Sequence, residues 1–351
     1  MNPVSEGVSD NQSYKELLKS EKVNQQLQEI LNRSRIRVQV FGVGGAGNNS
    51  VTHLRESSIE GIETIAVNTD AQDLLCANAD FKLLIGKKIT GGLGAGNNPE
   101  VGMAAAQESL EEVEKAISAD MIFIVCGLGG GTGTGAAPVI ADAVRKSGAL
   151  TISFCFLPFL IEGRKRWQNA VMGLKNLYNS SDAVIIIPNE RLLEVSTKLS
   201  LTEAFKLADE VLIKSIKSLV EMVIKPGLVN VDLADVRTVI KNSGISFIGV
   251  GESNSNDRAS RAVENALMNP IMSSDIQSAR AALINICGDQ SLTLAEAELV
   301  VRKVAERLNP DAEIIWGAII DPDLKDTLRV TVVVGSVSFP YVEHLIINFD
   351  G

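Results

Sequence analysis

Nine residues constrain this chain more than any others. They are Gly127-Leu128-Gly129-Gly130-Gly131-Thr132-Gly133-Thr134-Gly135, between the apolar run Met121–Cys126 and the helical pattern of Ala136–Arg145. The last seven hold five glycines and two threonines. That is more backbone freedom than a structural turn needs, and it offers a row of N–H donors and two hydroxyls to a polyphosphate. A strand running into such a loop and out into a helix places an anion at a helix N-terminus, which is α/β architecture. A second loop, Gly42-Val43-Gly44-Gly45-Ala46-Gly47-Asn48-Asn49, has the same setting and matches G-x-G-x-x-G. By itself it serves an NAD-dependent oxidoreductase as readily, with Asp70 near the place of a ribose-binding acid, or a plain tight turn. The longer loop decides, because such an oxidoreductase has no use for it. Neither loop carries the lysine of G-x-x-x-x-G-K-[ST]. Phosphate charge must then be met by backbone dipoles, helix N-termini and a divalent ion, with magnesium expected because it suits hard oxygens.

Around the loops, Ile36–Phe41, Ile62–Val67, Met121–Cys126, Leu150–Leu157 and Ala183–Ile187 read as buried strands of a mostly parallel sheet, with helices between most of them. A long helix over Leu201–Lys225 ends at Pro226-Gly227. Beyond it the rhythm changes: strands at Ile245–Gly251, Ala281–Cys287, Glu313–Ile320 and Leu328–Val334, helices at Asp257–Met268 and Leu294–Leu308, and a capping box from Thr293 to Glu296. The predicted class is α/β, a Rossmann-like parallel-sheet domain over 35–200, a central helix over 201–226 and a smaller α+β domain over 227–336. Residues 1–34 form an extension with an amphipathic helix over Ser13–Arg33, and 337–351 a tail.

Net charge is −10, which argues against nucleic acid and anionic membrane as partners. No signal peptide opens the chain, and the longest apolar run, Leu150–Ile161, is too short to span a bilayer, so a soluble cytoplasmic protein is expected. Cys76, Cys126, Cys155 and Cys287 have no zinc-ligand spacing and read as buried reduced thiols. With only His53 and His344 available, a histidine metal site is not expected, and no metal ligand is assigned.

Several motifs together resemble one family. Gly129–Gly135, GGGTGTG, resembles the nucleotide loop of tubulins and FtsZ, and Gly42–Asn49 resembles the FtsZ form of the first loop. Ala66-Val67-Asn68-Thr69-Asp70 and Gly91-Gly92-Leu93-Gly94-Ala95-Gly96-Asn97-Asn98-Pro99 are similar to further FtsZ nucleotide loops, the latter near the γ-phosphate. The resemblance runs from about Ile36 to Gly335, to the archaeal branch above all. It implies the tubulin/FtsZ fold and a site for GTP or GDP with magnesium. The implied contacts are Gly44, Gly45, Ala46, Gly47, Asn48 and Asn49 of the first loop, Asn68 and Asp70, Gly94, Ala95, Gly96 and Asn97, then Gly130, Gly131, Thr132, Gly133, Thr134 and Gly135.

Phe205 and Asp209 lie four residues apart on one helix face. An aromatic ring can stack on a purine, and a carboxylate can accept from N1–H and the exocyclic amine of guanine, whereas adenine presents a lone pair at N1. Taken alone Phe205 fits a core position; the resemblance of Phe205-Lys206-Leu207-Ala208-Asp209 to the family's FAxAD-like segment implies a guanine contact. The same resemblance makes Asn189 a base or ribose contact and makes Glu162 and Arg166 ribose and phosphate contacts, where the residues alone also fit a solvated basic turn.

Asp232 and Asp235 are three apart, beside Asn230, and two acids at a helix start are also ordinary capping chemistry. Asn230-Val231-Asp232-Leu233-Ala234-Asp235 resembles the FtsZ synergy loop, NxDxxD, which enters the nucleotide site of the next subunit, where its acids polarise water and help bind the cation. The implied protein is an assembly-dependent GTPase forming head-to-tail filaments at the mid-cell division ring. The rivals are a GTP-binding scaffold with little hydrolysis and, less favoured, the NAD-dependent oxidoreductase. FtsZ proteins commonly end in a flexible linker and a peptide that recruits membrane anchors. Here Val337–Phe349 is apolar-rich, so anchor or division proteins would dock on this tail or on the N-terminal helix, unless the chain is truncated or 337–349 is a final edge strand.

Overall fold

The computed structural model describes residues 36–195, 200–241, 243–268 and 275–337. The expected N-terminal helix and residues 338–351 of the expected tail lie outside them.

Five apolar runs become parallel strands: β1 (Val38–Val43), β2 (Ile62–Asn68), β4 (Met121–Gly127), β5 (Leu150–Leu157) and β6 (Ala183–Pro188). With β3 (Phe81–Leu84) and β7 (Gly244–Ile245) they form one seven-stranded parallel sheet in the order β3-β2-β1-β4-β5-β6-β7. Both faces are covered, which is why the strand sequences are apolar almost throughout. Phe41 and Val43 point into a cluster built with Ile122, Ile124, Ile140, Val144, Trp167 and Leu174. Between them, a side chain on Gly42 would strike Val51 of α1 (Gly44–Glu56) on the opposite face. The first face is packed by α4 (Pro99–Glu108), α5 (Leu110–Ala116), α6 (Thr132–Lys146) and α7 (Arg164–Ser180). Each large apolar side chain removed from water there is worth about 1.5–3 kcal/mol.

The glycine-rich segments differ from their expected form in one respect. The first runs from strand straight into helix, α1 beginning at Gly44, whereas in the second Leu128–Gly131 form a short loop and only the part from Thr132 is the first turn of α6. Gly44 sits at φ +74, where a side chain is strained.

Short α2 (Ala71–Cys76) and the single turn α3 (Lys87–Thr90) flank β3. α2 buries only Leu74, so Cys76 at its end is exposed, against expectation; the other three thiols are buried. Burial pushes Cys126 up to about 12 and Cys287 to about 11, so both stay protonated and unreactive.

After α8 (Glu190–Val195), the central helix α9 (Leu201–Ile224) starts on a capping box between Ser200 and Glu203 and leads to α10 (Leu233–Ile240). The strand expected over Ile245–Gly251 is divided at Ser246. Gly244–Ile245 extends the first sheet beside β6, held by the Ser246 amide donating to Val184 O at 3.0 Å. β8 (Phe247–Ser253) enters a second sheet with β9 (Ala281–Gly288), β10 (Glu313–Ile320) and β11 (Leu328–Gly335), in the order β10-β9-β11-β8. β9 and β10 are parallel, and β11 runs antiparallel to β9 and β8. Helices α11 (Arg258–Leu267) and α12 (Leu294–Ala305) belong to this mixed α+β domain, α12 with the predicted Thr293–Glu296 box. No helix among the described residues is long and apolar enough to cross a membrane.

Candidate functional site: a nucleotide cleft and a remote acidic loop

The carboxyl ends of β1 and β4 lie side by side, Val43 against Cys126, so the N-termini of α1 and α6 open on one cleft. Each helix start carries unpaired N–H groups and about half a positive charge, which suits anions without a lysine. A cavity of about 340 Å³ is lined there by Gly44, Gly45, Ala46, Gly130, Gly131, Thr132 and Gly133, together with Glu162 and Arg166. It shares Ala46, Phe156, Asn189 and Phe205 with a neighbouring cavity of about 550 Å³ that Asn49, Ser50, His53 and Asp209 also line. The two together have the polar-to-aromatic sequence that a nucleotide presents from phosphate to base.

Other predicted residues stand behind this wall. Thr134 is 1% exposed and its hydroxyl accepts from the Gly129 amide at 2.9 Å, so it ties the loop rather than facing the cleft. Gly47 and Gly135 are packing residues: added side chains would meet Val125 O at 2.3 Å and Pro99 O at 1.9 Å. The Thr132 hydroxyl pairs with that of Thr69 at 2.6 Å. Asn68 accepts from the Thr69 and Asp70 amides, and Asp70 caps α2 by accepting from Gln72 and Asp73. The Gly91–Asn98 segment, with Gly94, Ala95, Gly96 and Asn97, adjoins the cleft at Gly131, where Ala95 and Asn98 would touch any added side chain. Asn169, not singled out from the sequence, is 4% exposed and joins two loops by donating to Asn97 O at 3.4 Å and Gly129 O at 3.2 Å. Asp73 was also missed; its carboxylate accepts from Asn68 and lies within 3.4 Å of the Cβ position at Gly45.

Two side chains point to a bound group. Among the described residues Asn48, 2% exposed, has no partner for either amide atom, and Asn189, 8% exposed, none for Oδ1. An unpaired buried polar atom costs about 1–3 kcal/mol, which a ligand contact would offset.

Phe205 is 43% exposed, so it is not the core residue its sequence alone allows; its ring tilts against Phe159 with centroids 6.0 Å apart. Asp209 is buried and accepts from Ser50 Oγ at 2.6 Å and His53 Nδ1 at 2.7 Å. Ser50 and His53 were absent from the sequence expectations. Their signal was there: positions 46, 49, 50 and 53 share one face of α1. Glu162 and Arg166 pair with each other, and Glu162 also accepts from the Phe159 amide at 2.8 Å.

Asn230, Asp232 and Asp235 are not in the cleft. Helix α9 carries the chain away from Asp209 to Ile224, over roughly 22 Å at 1.5 Å per residue. The loop that follows is pinned to β10, Leu228 N and Ala318 N donating to Ala318 O at 2.7 Å and Val229 O at 3.0 Å, and Asn230 accepts from the Gly227 amide at 2.8 Å. Asp232 caps α10, accepting from Ala234 and Asp235 amides at 2.8 and 3.0 Å, while Asp235 accepts from the Asp232 amide at 2.9 Å. The capping role allowed by the sequence is therefore present. These bonds use Asp232 Oδ1 and Asp235 Oδ2. From α10, Arg237 donates to Asp120 O and Gly148 O, just before β4 and β5, so this helix lies at the amino ends of the strands whose carboxyl ends form the cleft.

Residues 37–197 match the Tubulin/FtsZ family, GTPase domain, and residues 244–338 match the FtsZ family, C-terminal domain. Over 321 residues the chain is 53% identical to the cell division protein FtsZ of Methanothermobacter thermautotrophicus, covering 91% of this chain and 84% of that one. It is 51% identical over 315 residues to cell division protein FtsZ 1 of Methanocaldococcus jannaschii, covering 90% and 86%. An empty FtsZ dimer from M. jannaschii matches with a TM-score of 0.82 at 51% identity, over 91% of this chain and 92% of that chain. The GTPγS-bound protofilament of CetZ2 from Haloferax volcanii matches with a TM-score of 0.78 at 24% identity, over 90% and 98%, a likeness of fold alone.

Proposed function

This chain belongs to the FtsZ family, whose first domain is a GTPase domain, and from that premise we infer that it polymerises head to tail and hydrolyses GTP between neighbouring copies. The observation that carries this is the separation of parts. The nucleotide cleft lies at the carboxyl ends of the parallel strands, and the acidic loop lies past the far end of α9, beside α10 at their amino ends. A molecule so built cannot bring Asp232 or Asp235 to its own nucleotide, but translation along α9 brings them to its neighbour's.

The division of labour follows from the side chains. The N-termini of α1 and α6 and the Gly94–Asn97 segment hold the phosphates, Arg166 adds a guanidinium, Phe205 stacks on the base, and Asp209 with Asn189 reads guanine. The neighbour's Asp232 and Asp235 orient and polarise the attacking water, and Asn230 shapes their loop by accepting from Gly227. Phosphoryl transfer needs chiefly positioning and charge neutralisation, so these parts suffice. Among the described residues no group of three His, Cys, Asp or Glu is placed to hold a metal ion. Magnesium would accordingly be held by phosphate oxygens and the neighbour's acids, and would supply charge neutralisation there. Exposed apolar side chains stand at both ends: Leu75, Leu93 and Ile161 at 79%, 87% and 93% near the cleft, and Leu228 at 72% beside the acids. Such a pair of faces supports self-association, and the M. jannaschii relative forms a dimer. The relatives' role as cell division proteins extends this reading to a cytoplasmic filament at the mid-cell division site, with anchor or division proteins docking on the N-terminal segment or the tail.

The test is phosphate release and pelleting with GTP against GDP across protein concentrations. Specific activity should rise with concentration, and Asp235→Ala should keep GTP binding yet lose about 10²–10⁴-fold in turnover. Asp235→Asn leaves an oxygen for the Asp232 amide, so its loss of turnover reports charge and not the cap. Mixing Asp235→Ala with Asp209→Ala should recover activity, because each supplies the half-site the other lacks. Specific activity independent of concentration, or full turnover by Asp235→Ala at assembling concentrations, would refute a shared site.

A further inference from the structure

The carboxylate assigned to guanine is already held by two groups of the protein. The Asp209 side chain is only 9% exposed, and burial of a charge is tolerated only when donors surround it. Ser50 Oγ donates to Oδ1 at 2.6 Å, and His53 Nδ1 lies 2.7 Å from Oδ2. Both donors come from α1, the helix whose first turn faces the phosphates, and both residues line the same cavity as Phe205 and Asn189. An ionised carboxylate has about four lone-pair directions. Two are taken from the α1 side, and two remain for a guanine edge with its N1–H and its exocyclic amine. Because ionised Asp209 can only accept, Nδ1 of His53 carries the proton, which fixes the tautomer.

We propose that His53 is a positioning residue for base discrimination: its Nδ1–H, with the Ser50 hydroxyl, sets the rotation of the Asp209 carboxylate so that both free lone pairs meet guanine. The proposal rests on guanine occupying the cavity at Phe205 and Asp209. His53 touches the acid that reads the base, so its removal affects the choice among bases and leaves the phosphate contacts intact.

The test is displacement of a fluorescent GDP analogue by GDP, IDP or ADP from the full chain, at concentrations below assembly. IDP lacks only the exocyclic amine, so GDP over IDP reads one hydrogen bond of the carboxylate, worth about tenfold or more when the acceptor is charged. In the wild type the expected order is GDP, then IDP, then ADP. In His53→Ala the GDP/IDP ratio should fall toward one while ADP binding changes little. His53→Asn should restore the ratio, since its amide nitrogen can donate from about the Nδ1 position. His53→Gln should not, because its amide reaches the Nε2 position instead; this pair decides even where His53→Ala binds no diphosphate. A GDP/IDP ratio in His53→Ala equal to wild type, an equal but still measurable weakening of all three diphosphates in that variant, or equal ratios for the Asn and Gln variants would overturn the proposal. A wild type without preference for GDP over IDP and ADP would instead remove the guanine reading beneath it.

Discussion

Gly130 and Gly135 are five residues apart in one motif and do different physical work. Gly130 has open space where a side chain would stand and lines the cleft, whereas a Cβ on Gly135 would sit 1.9 Å from Pro99 O, in the backbone-to-backbone contact of α6 with α4. Overpacking of a close contact costs about 1–3 kcal/mol or more. Gly135→Ala is therefore expected to lower the melting temperature by several degrees with or without nucleotide. Gly130→Ala should melt as wild type does, yet bind GTP at least about tenfold more weakly, since its methyl group occupies space needed by phosphate. Calorimetry and nucleotide titration on both variants check the distinction, and identical profiles would contradict it. Spacing in the sequence identified the motif but could not separate its binding glycines from its packing glycines, because both leave the same letter. His53, Ser50, Asp73 and Asn169 went unread for a related reason. His53, Ser50 and Asn169 act through partners distant in sequence, such as Asp209 for His53, so the shared face of α1 was legible but the carboxylate it meets was not. Asp73 pairs locally with Asn68, and its approach to Gly45 is what no local pattern announces.

The elements were more legible than the residues within them. Leu150–Leu157 and Glu313–Ile320 were predicted to the residue because long apolar runs between turn signals leave a buried strand little latitude. β3 was missed because it is a sheet edge whose Phe81 and Lys82 are exposed, and the separation of β7 from β8 because two residues carry no periodicity of their own. What no pattern displays is the joint between α9 and the second sheet. Glu221 in the last turns of α9 pairs with Lys225 at 2.9 Å and with Arg329 of β11 at 3.2 Å; Lys225 also reaches Asp321, and Arg329 reaches Glu252. Lys225 directly precedes the Pro226–Val231 segment that presents the acids. Arg329 and Glu221 are 16% and 14% exposed. Removing one partner should cost about 1–3 kcal/mol, below the 3–5 kcal/mol of fully buried pairs. Arg329→Met is expected to lose that much stability in urea titration and to slow assembled GTPase turnover several-fold without weakening GTP binding. Weakened GTP binding with intact turnover would place the joint's effect elsewhere.

At the scale of the molecule, the two domains should differ in their response to acid. Among the described residues, the carboxylates held clearly below their usual range are Glu264, Asp289, Glu296 and Asp321 in the second domain, and Glu203 at the start of α9. Hydrogen bonds from the Ser291 hydroxyl and the Asp326 amide pull Asp289 down to about 2, the Arg258 guanidinium lowers Glu296, and Lys303 lowers Glu264. For Asp321, burial pushes upward but the Asp323 amide and Lys225 prevail. A carboxyl lowered by folding stabilises the native state above its unfolded value, near 4, and that contribution disappears as pH falls through the folded value. The second domain should therefore lose stability between about pH 4.5 and 2, ahead of the nucleotide domain. The chain's two tryptophans report the domains separately, Trp167 on α7 and Trp316 on β10. In single-tryptophan variants, acid titration at a fixed low urea concentration should move the Trp316 fluorescence at a higher pH than that of Trp167. Arg258→Met, which takes the guanidinium from Glu296 and Asp289, should lower stability at neutral pH and shrink the further loss on acidification. Coincident transitions of the two tryptophans would mean that the joint at Glu221 and Arg329 makes the domains unfold as one cooperative body.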